Sequence, residues 1–170
     1  MSGAGKSTIA SRLYGQLKVM GVSNMEILDG DIVRTHLSKG LGFSRQDRDT
    51  NVLRIGWVCQ LLVKNDVPVM TAAISPYRDT RAKVRSMVEA VGGSGSFIEV
   101  YVNACLEECV RRDVKGLYAR ASRGEIREFT GVSDPYEPPE NPELELDTEH
   151  ETEAESVEKI ISYLQNHALL

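Results

Sequence analysis

Six residues near the start of the chain, Gly3-Ala4-Gly5-Lys6-Ser7-Thr8, combine two glycines, a lysine and two hydroxyls. That grouping suits a polyphosphate. Glycines let backbone N–H groups face the phosphates, the lysine reaches the outer ones, and the hydroxyl of Ser7 can ligate Mg²⁺. A helix opening there adds the positive end of its dipole. A second group, Asp29-Gly30-Asp31, follows a short apolar stretch. Phosphoryl transfer to a hydroxyl needs a carboxylate to orient or deprotonate the nucleophile and to help hold the metal. Asp31 suits that task, together with Ser7 as metal ligand, or it caps the helix that follows. Arg34 lies one turn beyond Asp31, and Arg48 and Asn51 share a helical face, so guanidinium groups can meet phosphate or sulfate oxygens.

The elements that must position these groups read as alternating strands and helices. Apolar residues at Ile9, Leu13, Leu17 and Met20 mark a helix over Thr8–Met20. Met25–Leu28 reads as a strand, Arg45–Asn65 as a helix, and Val67–Ile74 as a buried strand. A helix is expected over Tyr77–Val91, a strand over Phe97–Val102, and helices over Leu106–Val114 and Ala154–Leu164, with a Pro-rich stretch before the last. Strands alternating with helices predict a three-layer α/β/α fold on a parallel sheet, in which ligands bind beyond the carboxyl ends of the strands. The first glycine of the phosphate-loop pattern falls one residue before Met1. The expectation is therefore that residues 1–170 form one domain whose feeding strand and first loop glycine lie upstream, with Met1 internal.

Composition narrows the function classes. At 170 residues and 41% apolar content the chain suits one domain with one site. No run is long and apolar enough for a membrane span, and no basic-then-apolar leader is present, so a cytoplasmic location is expected. Three cysteines, Cys59, Cys105 and Cys109, fit neither a disulfide framework nor a zinc site. Residues 137–158 hold ten Asp and Glu and no Lys or Arg. This acidic run reads as a solvated surface, and the stripe Arg78, Arg81 and Arg85 likewise as a solvated helix face rather than a subunit contact. No basic block with interleaved aromatics argues for nucleic acid.

Taken in order, Ser2–Thr8, Asp29–Arg34, Gly40–Ser44, Asp47-Arg48 with Asn51, Ile74–Tyr77, Arg112–Tyr118, Gly124–Ile126, Phe129–Gly131 and Asp134–Glu137 resemble the adenylylsulfate kinase family. The resemblance implies an ATP-dependent kinase of the phosphate-loop class that phosphorylates the 3′-hydroxyl of adenylylsulfate, with Mg²⁺. It implies that Gly3 to Thr8 bind ATP, that Phe43 and Phe129 sandwich the acceptor adenine, and that Asp29, Arg34, Arg48, Asn51 and the backbone at Ile74 and Ser75 hold the rest of the acceptor. Lys6, Asp31, Lys115 and Ser75 are the implied catalytic set; in some members the serine matching Ser75 is phosphorylated. Residues 115–130 resemble a mobile lid, with Lys115, Gly116 and Leu117 at the acceptor, Gly116 and Gly124 as hinges, and Lys115 charging the transferring phosphoryl group. An arginine expected at Ser122 is absent, which leaves Arg120 and Arg123 as candidates for contact with ATP. The family also implies a homo-oligomer (dimer) or a fusion to ATP sulfurylase. A kinase for another small acceptor and a non-catalytic nucleotide-binding module are the alternatives, and the intact Gly5-Lys6-Ser7 and Asp31 speak against the second.

Overall fold

The computed structural model describes residues 1–170. In chain order the elements are α1 (Lys6–Val19), β1 (Glu26–Asp29), α2 (Gly30–Thr35), α3 (Arg45–Val63), β2 (Val69–Ala72), α4 (Arg78–Gly92), β3 (Val100–Asn103), α5 (Leu106–Arg112), α6 (Leu117–Ser122), β4 (Leu144–Asp147) and α7 (Glu153–Asn166). β1 pairs with β2 and β3 with β4, both in parallel, with Glu26 opposite Val69 and Val100 opposite Leu144.

Side-chain alternation along the strands assigns the layers. Met70 of β2 packs with Ile9, Leu13 and Leu17 of α1 and with Val157, Ile160 and Ile161 of α7. Its neighbour Val69 packs instead with Val52, Ile55 and Cys59 of α3 and Val84 and Val88 of α4. Adjacent residues on a strand face opposite ways, so α1 and α7 cover one face and α3 and α4 the other. Val100, Val102 and Leu144 pack on the same α1–α7 cluster, which places both strand pairs under one helix layer. Leu146 is 0% exposed at the centre of that cluster; burying such a side chain contributes on the order of 2 kcal/mol. Val157, Ile160 and Ile161 meet α1 because α7 starts where it does: Thr152 and Glu155 form a reciprocal capping box.

The parallel three-layer arrangement agrees with the sequence reading, while several local features differ. The strands form two separate two-stranded sheets. Each strand has one hydrogen-bonded neighbour, so β2 is only half-buried and shorter than the fully buried Val67–Ile74 run expected. The strand expected to feed the phosphate loop would precede residue 1 and lies outside the described residues. β4 falls in a region read as Pro-rich linker and acidic surface; its period-2 alternation, Leu144-Glu145-Leu146-Asp147, was the available signal.

The first part of the acidic run pairs with the basic stripe, while Glu145, Glu149, Glu153, Glu155 and Glu158 face solvent as expected. Arg85 makes two bonds to Glu143, at 2.7 and 2.8 Å. Arg78 reaches Glu140, and its backbone N–H donates to the Glu137 carboxylate at 2.8 Å. Arg81 is 9% exposed and bonds Glu99. Read one element at a time, each charge pattern looks like a surface; only the fold brings residues about sixty positions apart into register. Burial pushes the Glu143 carboxyl up, but the Arg85 guanidinium and the Glu99 amide outweigh it and hold the group below its ordinary value of 4.5. A depressed carboxyl contributes stability above its unfolded value and loses it as pH falls. Glu143→Gln should therefore lower unfolding free energy by about 1–2 kcal/mol at neutral pH. In urea titrations the gap from the parent protein should close in acid, and a gap independent of pH would show that the Arg85 pair is energetically silent.

Candidate active site

The phosphate loop is shaped from behind. The Gly3 carbonyl accepts from Arg112 Nη1 at 3.2 Å, the Ala4 carbonyl from the Thr148 hydroxyl at 3.1 Å, and the Ser2 carbonyl from the Tyr118 hydroxyl at 3.0 Å. In a trans peptide the C=O and the following N–H point opposite ways, and the chain has no cis peptide. The amides of Gly3, Ala4 and Gly5 are thus turned away from the groups that hold those carbonyls. No protein acceptor takes them, and successive free amides of this kind can receive an anion. Gly3 is required on two counts: its φ is +74°, and a Cβ there would lie 3.1 Å from the Cys109 carbonyl oxygen. α1 opens at Gly5 with no side-chain cap, which leaves its first N–H groups available to a ligand.

Lys6, Ser7, Asp29, Asp31 and Lys115 converge at this loop. Desolvation pushes the Lys6 ammonium down to about 8; Cys109, Asp31 and Asp29 pull it upward, and Lys115 adds to the lowering. The Lys6 ammonium donates to the Met1 carbonyl. The Ser7 hydroxyl donates to Asp29 at 2.6 Å, and the Lys115 ammonium pairs with Asp31. Asp29, not Asp31, is the helix cap: it closes β1 in an extended conformation and accepts the Asp31 amide at 2.9 Å. Burial raises the Asp29 pKa, but the Ser7 hydroxyl and the Asp31 amide bring it below the ordinary value. Asp31 is left exposed in the first turn of α2, free of a capping role. Gly30 has a different reason from ligand access, since a Cβ there would lie 3.2 Å from Ala73 Cα and 3.3 Å from the Ala72 carbonyl oxygen. A side chain would push β1 off β2.

A second constellation gathers around the loop before α3. Arg34 donates to the Gly42 carbonyl at 3.0 Å and lies over the Phe43 ring at 4.7 Å. Arg48, 4% exposed, donates to the Phe43 carbonyl and to the Glu128 carbonyl, at 2.8 and 2.7 Å. Asn51, also 4% exposed, has a side-chain oxygen with no partner, as does Thr130. Orphaned acceptors of this kind are rare in folded proteins and mark a place where another donor is expected. Ile74 and Ser75 follow β2, and the Ser75 carbonyl accepts from Arg81 at 2.8 Å.

The segment 115–130 folds as α6 with a tail docked on the loop. Asp113 caps α6 by accepting the Tyr118 and Ala119 amides, both at 3.0 Å. Gly116 and Gly124 have positive φ. Leu117, Tyr118, Ile126 and Phe129 pack with Ala4 and Cys109 in one cluster. Phe129 is 4% exposed and edge-on to Tyr118, whereas Phe43 is 37% exposed. Phe129 thus packs within this cluster, and the Arg48 guanidinium joins the Phe43 carbonyl to that of Glu128, the residue before Phe129. Arg120 and Arg123 both pair with Glu125, at 3.2 and 2.6 Å, and neither reaches the phosphate loop.

Arg112, Tyr118 and Thr148 were not assigned roles from the sequence. Arg112 and Tyr118 lie within a recognised motif, but their partners are carbonyls more than one hundred positions away. Thr148 carried no signal at all.

The adenylylsulphate kinase family model matches residues 1–147. An adenylyl-sulfate kinase of Picosynechococcus sp. is 56% identical over 164 residues, which is 96% of this chain and 89% of that protein. The structure of the Mycobacterium tuberculosis APS kinase CysC in complex with AMPPNP and APS superposes with a TM-score of 0.90 at 41% identity, over 97% of this chain and 93% of that one. A hexameric APS kinase from Thiobacillus denitrificans superposes at 0.73 with 40% identity, over all of this chain and 28% of the other. With a family model spanning most of its length and relatives above half identity, the chain belongs to the adenylylsulfate kinase family.

Proposed function

We propose that the site transfers the γ-phosphoryl group of ATP to the 3′-hydroxyl of adenylylsulfate, with the outward amides of Gly3, Ala4 and Gly5 and the ammonium of Lys6 holding the triphosphate. The observation that carries this reading is the convergence of those donors with Asp31, Asp29 and Ser7 at the carboxyl end of β1. Asp31 accepts the proton of the attacking hydroxyl as the new O–P bond forms and the bond to the β-phosphate oxygen breaks, releasing ADP. Lys115 leaves Asp31 for the transferring group when both substrates are present. Arg34, Arg48 and Asn51 receive the phosphosulfate and nucleoside of the acceptor, the free oxygen of Asn51 taking a donor from it. Phe43 offers its exposed face to the adenine, and the backbone at Ile74 and Ser75 borders the sulfate end.

Ser7 and Asp29, 2.6 Å apart, present hard oxygen donors. That suits Mg²⁺, which takes one or two protein oxygens and otherwise keeps water and phosphate; no cluster of three or more His, Cys, Asp or Glu offers an all-protein cage. Bound with ATP, the ion would neutralise charge on the β- and γ-phosphates. No helix is long and apolar enough to cross a membrane, and three free thiols fit a reducing cytoplasm. Self-association draws support from the hexameric T. denitrificans relative.

The direct test is ADP release with Mg·ATP and, in turn, adenylylsulfate, AMP, gluconate and shikimate; turnover with adenylylsulfate alone is expected, and preference for another acceptor sinks the reading. Asp31→Asn should lower kcat by about 10²–10⁴-fold, the usual range for a lost general base, with little change in ATP affinity. An unchanged kcat would remove Asp31 from the chemistry. Phe43→Ala should weaken adenylylsulfate binding by about 1–3 kcal/mol, as lost base stacking does, and leave ATP binding alone. The Lys6 ammonium, lowered to about 8 without ligand, rises again beside a triphosphate. At mildly alkaline pH, ATP binding should therefore take up a fraction of a proton. Calorimetry in buffers of different ionisation enthalpy measures this. Uptake that persists in Lys6→Met would show that the lysine does not meet the triphosphate.

A further inference from the structure

α4 starts three residues after Ser75, and its first two turns aim three arginines at the segment that follows the lid. Arg81 spends its guanidinium in three directions. Nε donates to Glu99 at 2.6 Å, Nη1 to the Ser75 carbonyl at 2.8 Å and Nη2 to the Glu137 carbonyl at 2.8 Å. Glu99 is itself held by Arg85 at 3.6 Å, and Arg85 by Glu143, so the anchor beneath Arg81 is rigid. The Glu137 amide donates back to the Pro76 carbonyl at 2.8 Å. Ser75 and Pro76 are thereby closed into a ring of hydrogen bonds with Glu137. The other end of that segment, Asp134, bridges Thr130 and accepts the Gly131 amide at 2.8 Å. One buried fork thus joins the loop after β2 to Glu137.

We propose that Arg81 is a positioning residue for the acceptor: it sets the orientation of the Ser75 peptide and the spacing from Ser75 to Glu137, and so holds the backbone at Ile74 and Ser75 where adenylylsulfate binds. The inference rests on the reading above that this backbone borders the acceptor. It is specific to the acceptor side, because the triphosphate loop is braced by Arg112, Thr148 and Tyr118, none of which bonds to Arg81. A lysine cannot replace it. A single ammonium keeps the charge for Glu99 but lacks the planar fork that meets two carbonyls and a carboxylate at once.

The test is steady-state kinetics of Arg81→Lys, with the double variant Arg81→Gln/Glu99→Gln as a second case that leaves no unpaired buried charge. The expected result in both is a rise in KM for adenylylsulfate of about 10-fold with KM for ATP within about twofold. A merely structural role would lower the thermal midpoint and move both constants together, or neither, and either result overturns the proposal. Ser75→Asp, which places a carboxylate on the same loop, separates the two layers of the argument. If it leaves adenylylsulfate KM unchanged, the loop does not border the acceptor and both readings fall. If it raises that KM while the Arg81 variants do not, the inference about Arg81 alone falls.

Discussion

The site depends on which way three peptide groups face. Because C=O and N–H are antiparallel in a trans peptide, bonding the carbonyls of Ser2, Gly3 and Ala4 from behind is the same act as aiming the next three amides forward. The donors come from three separate places: Tyr118 on α6, Arg112 at the end of α5, and Thr148 just beyond β4. A loop of small residues has little intrinsic preference for this shape, and glycines cost more entropy to fix than other residues. The conformation is therefore imposed by the body of the protein and handed to the ligand already made. Such preorganisation matters for phosphoryl transfer, where there is little for the protein to do except position groups and stabilise charge.

Charge within the site is arranged as pairs that a substrate can dissolve. Lys115 sits on Asp31, Ser7 on Asp29, and Lys6 on a backbone carbonyl. These contacts satisfy polar groups that would otherwise be costly to desolvate. The most confined of them, Lys6, shows the cost as a depressed pKa, with burial as the largest cause. A triphosphate relieves that penalty at the point where the lysine is needed. Segment 115–130 contributes to both halves, since Lys115 faces Asp31 while Tyr118 holds the phosphate loop. Its docking is apolar, through Ile126 and Phe129 against Ala4 and Cys109.

The frame around the loop after β2 is electrostatic where the main core is apolar. α4 presents Arg78, Arg81 and Arg85 to Glu99 and to the acidic segment after the lid. Exposed ion pairs contribute little, but bidentate, partly buried ones in a network contribute more. Their value here is in geometry. Arg81 and Arg78 bond main-chain atoms of the 137–138 stretch, so they hold backbone as well as charge.

Local pattern was enough for much of this molecule. The spacing of Ile9, Leu13 and Leu17 located α1, the run Gly3 to Thr8 marked the loop that opens α1, and the alternation of strand and helix located the parallel α/β/α layers. Each rests on neighbours within a few positions, where periodicity and turn chemistry act. What the chain could not reveal alone was pairing across long separations. The split of the strands into two pairs, Asp29 rather than Asp31 as the cap, the packing of Phe129 against Tyr118, and the pairing of the first acidic residues with the Arg stripe were decided by tertiary structure. A charged or aromatic residue has the same local signature whether it faces water or a partner; burial and the identity of that partner are properties of the folded chain alone.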